Sequence, residues 1–266
     1  MKYGIAGIVV AAAWYALVPA LPHGPAGAGA IRQGTTWNWH GRIAEGKTIE
    51  IRGVNGSISA EPATGNEVEV TAEKRGRRDD PDDVRIEVVE HEGGVTICAV
   101  YPGRGNRCEP GGGHMSTHNN DVEVEFTVHV PRRVGFAGST VNGGVDALGL
   151  TGPVEASTVN SGVRIETSDG EAEATTVNGS IIAVIGPGGR RPLRFNTVNG
   201  SVTVTLPRDL GADLDASTVN GNINSDFPIT VTGRMSPRRL SGRIGQGGRT
   251  LNIRTVNGAI RIRRGT

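Results

Sequence analysis

Apolar and polar residues alternate one for one along much of this chain. "VEVEFTVHV" at 122–130 and "VTVTL" at 202–206 place every second side chain on one face, the period of a strand half-buried against a core. After residue 30 no stretch shows the 3.6-residue period of an amphipathic helix. The strand-like runs are punctuated by Val-Asn-Gly or Val-Asn-Ser, with the asparagines at Asn55, Asn142, Asn160, Asn178, Asn199, Asn220 and Asn257. From Asn142 onward the spacing is 18, 18, 21, 21 and 37 residues, and the last interval reads as about two periods with the middle marker lost.

Asn-Gly between apolar runs is the strongest short hairpin signal. A hairpin at each site would pair the residue before Asn with the one after Gly, and so would split the apolar residues between two faces. A chain that only bends there and runs on puts the Val, the Gly and the next Val or Ile on one side. That pattern predicts Val159, Val163, Val177, Ile181, Val198, Val202, Val219 and Ile223 on one core, with Thr158, Thr176, Thr197 and Thr218 on the opposite face. Gly and Pro clusters, "SDG" at 168–170, "GPGGRRP" at 186–192, "PRDLGAD" at 207–213 and "GQGG" at 245–248, mark the other corners. The fold expected is all-β, a stacked β-solenoid or β-roll of 18–21-residue coils, because one such coil cannot bury its own apolar face. A meander of up-down pairs is the alternative.

The first half is less regular. "TIEIRGVNGSISA" around Asn55 is one repeat-like unit, followed by strand-like runs that continue into the stack and cap it. Residues 31–133 thus form an N-terminal β region and 134–266 the solenoid repeats, together one continuous domain. Trp37 and Trp39 alternate and staple that end, with carbohydrate stacking as a second role.

Composition fits this picture, with 41 Gly in 266 residues and 4% aromatics, so large rings build little of the core. Residues 1–30 read as a signal peptide, an apolar run before a small-residue site, cleaved after Ala30 or Ala28; an uncleaved anchor is the other reading. The location expected is therefore periplasm or cell surface. In an exported chain the lone pair Cys98 and Cys108 is most simply a disulfide, and it lacks the CxxC spacing of a redox or metal pair. His114 and His118 sit in a Gly-rich stretch that forms no helix, so they read as loop residues and no metal or cofactor is expected.

The net charge of +1 hides an asymmetry, since Arg is frequent and carboxylates are absent from Pro228 onward. Arg238, Arg239, Arg263 and Arg264 are the candidate anion-binding residues, because guanidinium groups pair bidentately with phosphate and carboxylate. A solvated polar cap on the stack is the competing account. The carboxylates of the repeats, Asp146, Glu155, Glu166, Asp169, Glu171, Glu173, Asp213, Asp215 and Asp226, fall mostly at expected corners and in no single column. No nucleophile elbow, phosphate loop or metal spacing appears. No catalytic residue is assigned. A polysaccharide lyase or hydrolase is the alternative, recognised by a groove in which two carboxylates converge within roughly 10 Å.

The repeated "STVNG" units, the run "VEVEFTVHVPRRVGFAGSTVNGGV" leading into them and the closing "RTVNGAIRIRR" resemble the bacterial putative-adhesin family, extracytoplasmic β-repeat domains of largely unknown function. The resemblance spans nearly all of the chain after the signal. It implies a stacked β fold, export and no catalytic residues to carry over. The function expected is a non-catalytic, adhesin-like envelope protein that meets anionic glycans, lipid headgroups or another envelope protein through its regular face and Arg-rich end. Nucleic acid does not fit the compartment.

Overall fold

The structure, a computed structural model, describes residues 32–112, 115–168, 171–189, 191–232 and 236–265. The signal-peptide reading of residues 1–30, and Arg234, His114 and Asp169, lie outside them.

Among the described residues two sheets of 11 and 10 strands enclose one apolar core. Each coil gives one strand to each sheet. Ala172–Asn178 lies in the first sheet, the chain bends at Gly179 and Ser180, and Ile181–Ile185 lies in the second. Successive coils are parallel and in register: Ala174 meets Phe195 and Asn178 meets Asn199 in the first sheet, and Ile181 meets Val202 in the second. The architecture is a β-solenoid, with Asn-Gly at a corner between sheets rather than at a hairpin tip. Strand β-branching suits the inward column, where Val163, Ile181, Val202 and Ile260 are fully buried.

The expected facing of Thr and Val is overturned. Thr140, Thr158, Thr176, Thr197, Thr218 and Thr255 are all buried, whereas Val177, Val198, Val219 and Val256 are exposed at 38%, 40%, 55% and 38%. Val159 and Ile223 are half-buried. Carrying the period of two straight through the bend caused the error. The corner consumes Asn, Gly and the residue after it, so parity restarts in the second sheet. Thr176 and Ile181, five residues apart, both point into the same core from opposite sides.

The order of coils along the stack differs from their order in the chain at both ends. The 37-residue interval before Asn257 holds no lost marker. Its residues form an antiparallel edge, Ile229–Val231 against Arg239–Ile244, laid on Ala212–Asn220. The chain then returns to insert Arg249–Asn257 and Ile260–Arg264 between the coils of Asn199 and Asn220. At the other end Thr48–Arg52 and Ile58–Pro62 are flanked on one side by Gly135–Ser139 and Val145–Leu150. On the other side lies a coil that sequence reading missed, Gly94–Val100 plus Glu123–Val130. It carries no Val-Asn-Gly, because its corner is expanded into residues 101–122. Val68–Gly76 and Arg32–Gly41 close the second sheet, and Arg85–His91 the first, all by antiparallel pairing.

Candidate binding surfaces

The Asn corner is built from three side chains with separate tasks. The Asn amides form a continuous ladder in stack order, Asn55, Asn142, Asn160, Asn178, Asn199, Asn257 and Asn220. Each Nδ2 donates to the Oδ1 of the preceding amide at 2.7–3.0 Å, with the last step running from Asn220 back to Asn257. Behind it the buried Thr hydroxyls are satisfied by donating to corner carbonyls of the neighbouring coil, as Thr176 does to Ser161 at 2.8 Å and Thr197 to Gly179 at 2.8 Å. Glycine follows Asn because the coils nearly touch there. A Cβ on Gly179 would stand 1.7 Å from the Ser161 carbonyl oxygen, and one on Gly200 would stand 1.9 Å from that of Gly179. At the cap end, Tyr101 terminates the ladder: its hydroxyl donates to Val122 O at 2.8 Å and accepts from Asn55 N. Burial pushes the Tyr101 phenol pKa up, so it stays a donor.

The four candidate arginines do not form one patch. Arg238 and Arg239 sit on the antiparallel edge of the first sheet, and Arg263 and Arg264 on the second sheet, all at the same end of the stack. Arg264 lies over the Phe227 ring, 5.1 Å from its centroid, and donates to Asp226 O. Arg249, in the same run of sequence, is buried and holds the corner carbonyls of Arg191 and Gly188. Among the described residues, Arg238, Arg239, Arg254, Arg261 and Arg263 have no carboxylate within 4.0 Å.

The carboxylates are distributed otherwise than expected. Several lie on strands rather than at corners, and Asp146, Glu171 and Asp213 are engaged by Arg164, Arg194 and Arg243. Glu155 and Glu173 do share a column, on the outer face of the first sheet, and the same column contains Glu50, with Ala137 between Glu50 and Glu155. Glu155 and Glu173 stand one 18-residue period apart in consecutive coils, so their shared column was open to the spacing; Glu50 joins it from a coil far away in the chain.

That column lines a cleft of about 530 Å³. Its floor is Ala137, Ser139 and Ser157; Glu50 and Arg52 form one wall and Glu155 the other, with His91 and Gly111 at the rim. The bonded pair Cys98 and Cys108, Cα atoms 5.6 Å apart, anchors the loop that brings Gly111 there. Glu50 is fully engaged: Arg52 Nη1 donates to Oε1 at 3.1 Å, and Thr96 Oγ1 and Gly111 N donate to Oε2 at 2.8 and 2.9 Å. Arg52 Nε is buried without a hydrogen-bond partner among the described residues. Glu155 has no ion-pair partner among the described residues, and burial, then Glu173, Glu50 and Glu171, raise its pKa.

Trp37 and Trp39 are half-buried and pack on the core. Among the described residues no cluster of three or more His, Cys, Asp or Glu is placed to hold a metal ion. No helix there is long and apolar enough to cross a membrane.

Parallel coils around one core, with a solvent-exposed Asn ladder along one corner, define a β-solenoid repeat protein. Residues 151–263 match the family model described as Toastrack DUF4097. No curated protein matches it. Among solved structures, a putative cell adhesion protein from Clostridium sporogenes aligns with 88% of this chain and 100% of its own, at 13% identity and a TM-score of 0.47. A putative adhesin from Bacteroides fragilis aligns with 86% of this chain and 97% of its own, at 9% identity and a TM-score of 0.31. Another from Parabacteroides distasonis shows the same coverage at 12% identity and a TM-score of 0.25.

Proposed function

We propose that this is a non-catalytic, adhesin-like protein of the cell envelope that binds anionic partners, glycans or lipid headgroups, at the basic end of its stack. The carrying observation is the contrast in how arginines are used. In the N-terminal half most are compensated, Arg42 by Glu67, Arg75 by Glu73 and Glu125, Arg78 by Asp121, Arg85 by Glu87, Arg107 by Glu109 and Arg133 by Glu45, with Arg77, Arg104 and Arg132 the exceptions among the described residues. At the far end Arg238, Arg239, Arg261 and Arg263 stand outside and unpaired on both sheets. Uncompensated guanidinium groups concentrate a positive field that attracts phosphate or carboxylate. The Cys98 to Cys108 bond supports an oxidising, extracytoplasmic location.

The second reading, a polysaccharide-acting enzyme, is favoured by one feature. Glu50 and Glu155 face a common cleft from strands two apart, about 10 Å between backbones, near the separation of paired glycosidase carboxylates. Three donors already occupy Glu50, however, which leaves it ill suited to activate water.

The test is capture of envelope fractions by the protein at low and high salt, with R238Q/R239Q and R261Q/R263Q measured separately. Salt should weaken capture of anionic material. The variant pair that loses capture identifies the sheet that binds, and equal capture by wild type and both variants overturns the proposal.

A further inference from the structure

Two sheets have four edges, and three of these are blunted. At the basic end the outermost strands are three residues long, Ile223–Ser225 and Ile229–Val231. At the cap end the first sheet stops at Arg85–His91, seven residues that include Arg85, Glu87 and Glu90. Short or charged edges keep other chains from pairing. The fourth edge is different. There the second sheet stops at Arg32–Gly41, ten residues long, whose pairing with Val68–Gly76 runs without interruption from Thr35 to Gly41. That stretch holds no Lys, Arg, Asp, Glu or Pro, and no strand among the described residues pairs with its outer side.

Arg32–Gly41 also overhangs. Beyond the coil of Gly94–Val100 and Glu123–Val130 the second sheet adds two strands and the first only one, so no strand of the first sheet stands across from it. Its inward residues, Trp37 and Trp39, pack on the core yet stay half exposed. A cleft of about 320 Å³ opens beside Trp39, lined also by Ile43, His91 and Val95.

We propose that two copies of the chain join at this edge, Arg32–Gly41 pairing antiparallel with itself about a two-fold axis through Asn38. Such a contact uses one strand twice and closes on itself, as an isologous interface must. Centring on Asn38 engages the whole regular stretch: Thr35 meets the partner's Gly41, Thr36 the partner's His40, and Trp37 the partner's Trp39. Opposed residues share a face, so both Trp37–Trp39 pairs fall on the core side, in the space that the first sheet leaves open, while Thr36, Asn38 and His40 stay in water. Aromatic pairs across a ladder stabilise it. An axis through Trp37 or Trp39 would instead set the other Trp against Thr35 or Gly41. Joining the cap ends leaves the two arginine-rich ends at opposite extremities of the assembly.

Size exclusion with light scattering tests this on the protein and three variants. Wild type should have the mass of two chains. Asn38→Lys sets two ammonium groups against each other across the axis and should give the mass of one chain with an unchanged circular dichroism spectrum, since Asn38 is exposed. Asn38→Cys should cross-link to its own copy under mild oxidation, because opposed residues of an antiparallel pair have Cα atoms about 4.5–5.5 Å apart, within disulfide reach. Thr36→Cys, which faces His40, should not. A wild type with the mass of one chain overturns the proposal and leaves the edge to a strand of a different protein, and an Asn38→Lys variant that stays dimeric overturns it too. Failure of Asn38→Cys to cross-link, or equal cross-linking by Thr36→Cys, overturns the pairing about Asn38.

Discussion

The repeat stack and its N-terminal cap solve the same problem, closing a two-sheet core, by opposite means. In the stack one small set of side chains recurs: Thr inward to corner carbonyls, Asn outward to the next Asn, Gly where backbones approach. In the cap each contact is individual. Tyr101 replaces a ladder amide, Lys74 is buried with its ammonium on Val84 O and Asp82, and a disulfide holds the expanded corner. Asp121 accepts from Asp79 N and Arg78, which holds its carboxyl well below the usual range. Repetition makes stability depend on fitting one corner well many times, while the cap spreads it over unlike contacts of which several are exposed.

The sharpest way to break that contrast is a single methyl group. Gly179→Ala in the stack forces a Cβ against backbone that cannot move without opening two coils, and should cost roughly 3 kcal/mol, a fall in Tm on the order of 10 °C. Gly65→Ala in the cap meets nothing within 4 Å and should leave Tm within a degree or two of wild type, since surface changes of this kind stay within about 0.5 kcal/mol. Similar scans for the two variants would remove close approach as the reason for the glycine column.

Next in size is the buried hydroxyl. Thr176→Val keeps the shape but leaves Ser161 O without its donor, at about 1–2 kcal/mol in urea denaturation. Thr71→Val loses an exposed bond to Asn38 and should cost under about 0.5 kcal/mol. A Thr176 variant as mild as the Thr71 variant would mean that the corner carbonyl finds another partner. The smallest effect is expected from the visible hallmark of the repeat. Asn178→Ala removes two ladder bonds, but both are exposed to water, so under about 1 kcal/mol should be lost.

The periodic half was legible because a stacked coil writes its period into the chain: the solenoid, the corner role of Asn-Gly and the inward Ile or Val after it all follow from spacing. The facing of Thr176 and Val177 was not, because a corner resets strand parity by an amount that spacing alone does not reveal. The coil of Gly94–Val100 and Glu123–Val130 escaped because Tyr101 and a long loop replaced its marker. The cleft escaped for a different reason. Glu155 lies one period from Ala137 in the next coil, but Glu50 becomes its neighbour only through the exchanged order of coils, although Cys98 and Cys108 had already pointed to the loop that rims the cleft.

The insertion of Arg249–Arg264 between two earlier coils also sets a timetable. Parallel coils can add one after another as the chain emerges, each templated by the last, up to Val202–Leu206. There growth must pause. Ala212–Asn220 and Ile223–Ser225 have no ladder partner on the stack side except the strands of residues 249–264, so that coil waits unzipped until the later segment arrives and both dock together. Closing such a long loop is slow, and during it the open edge at Val202–Leu206 is the place where another chain can pair by mistake. A molecule that elsewhere grows like a ratchet thus ends with a single concerted latch.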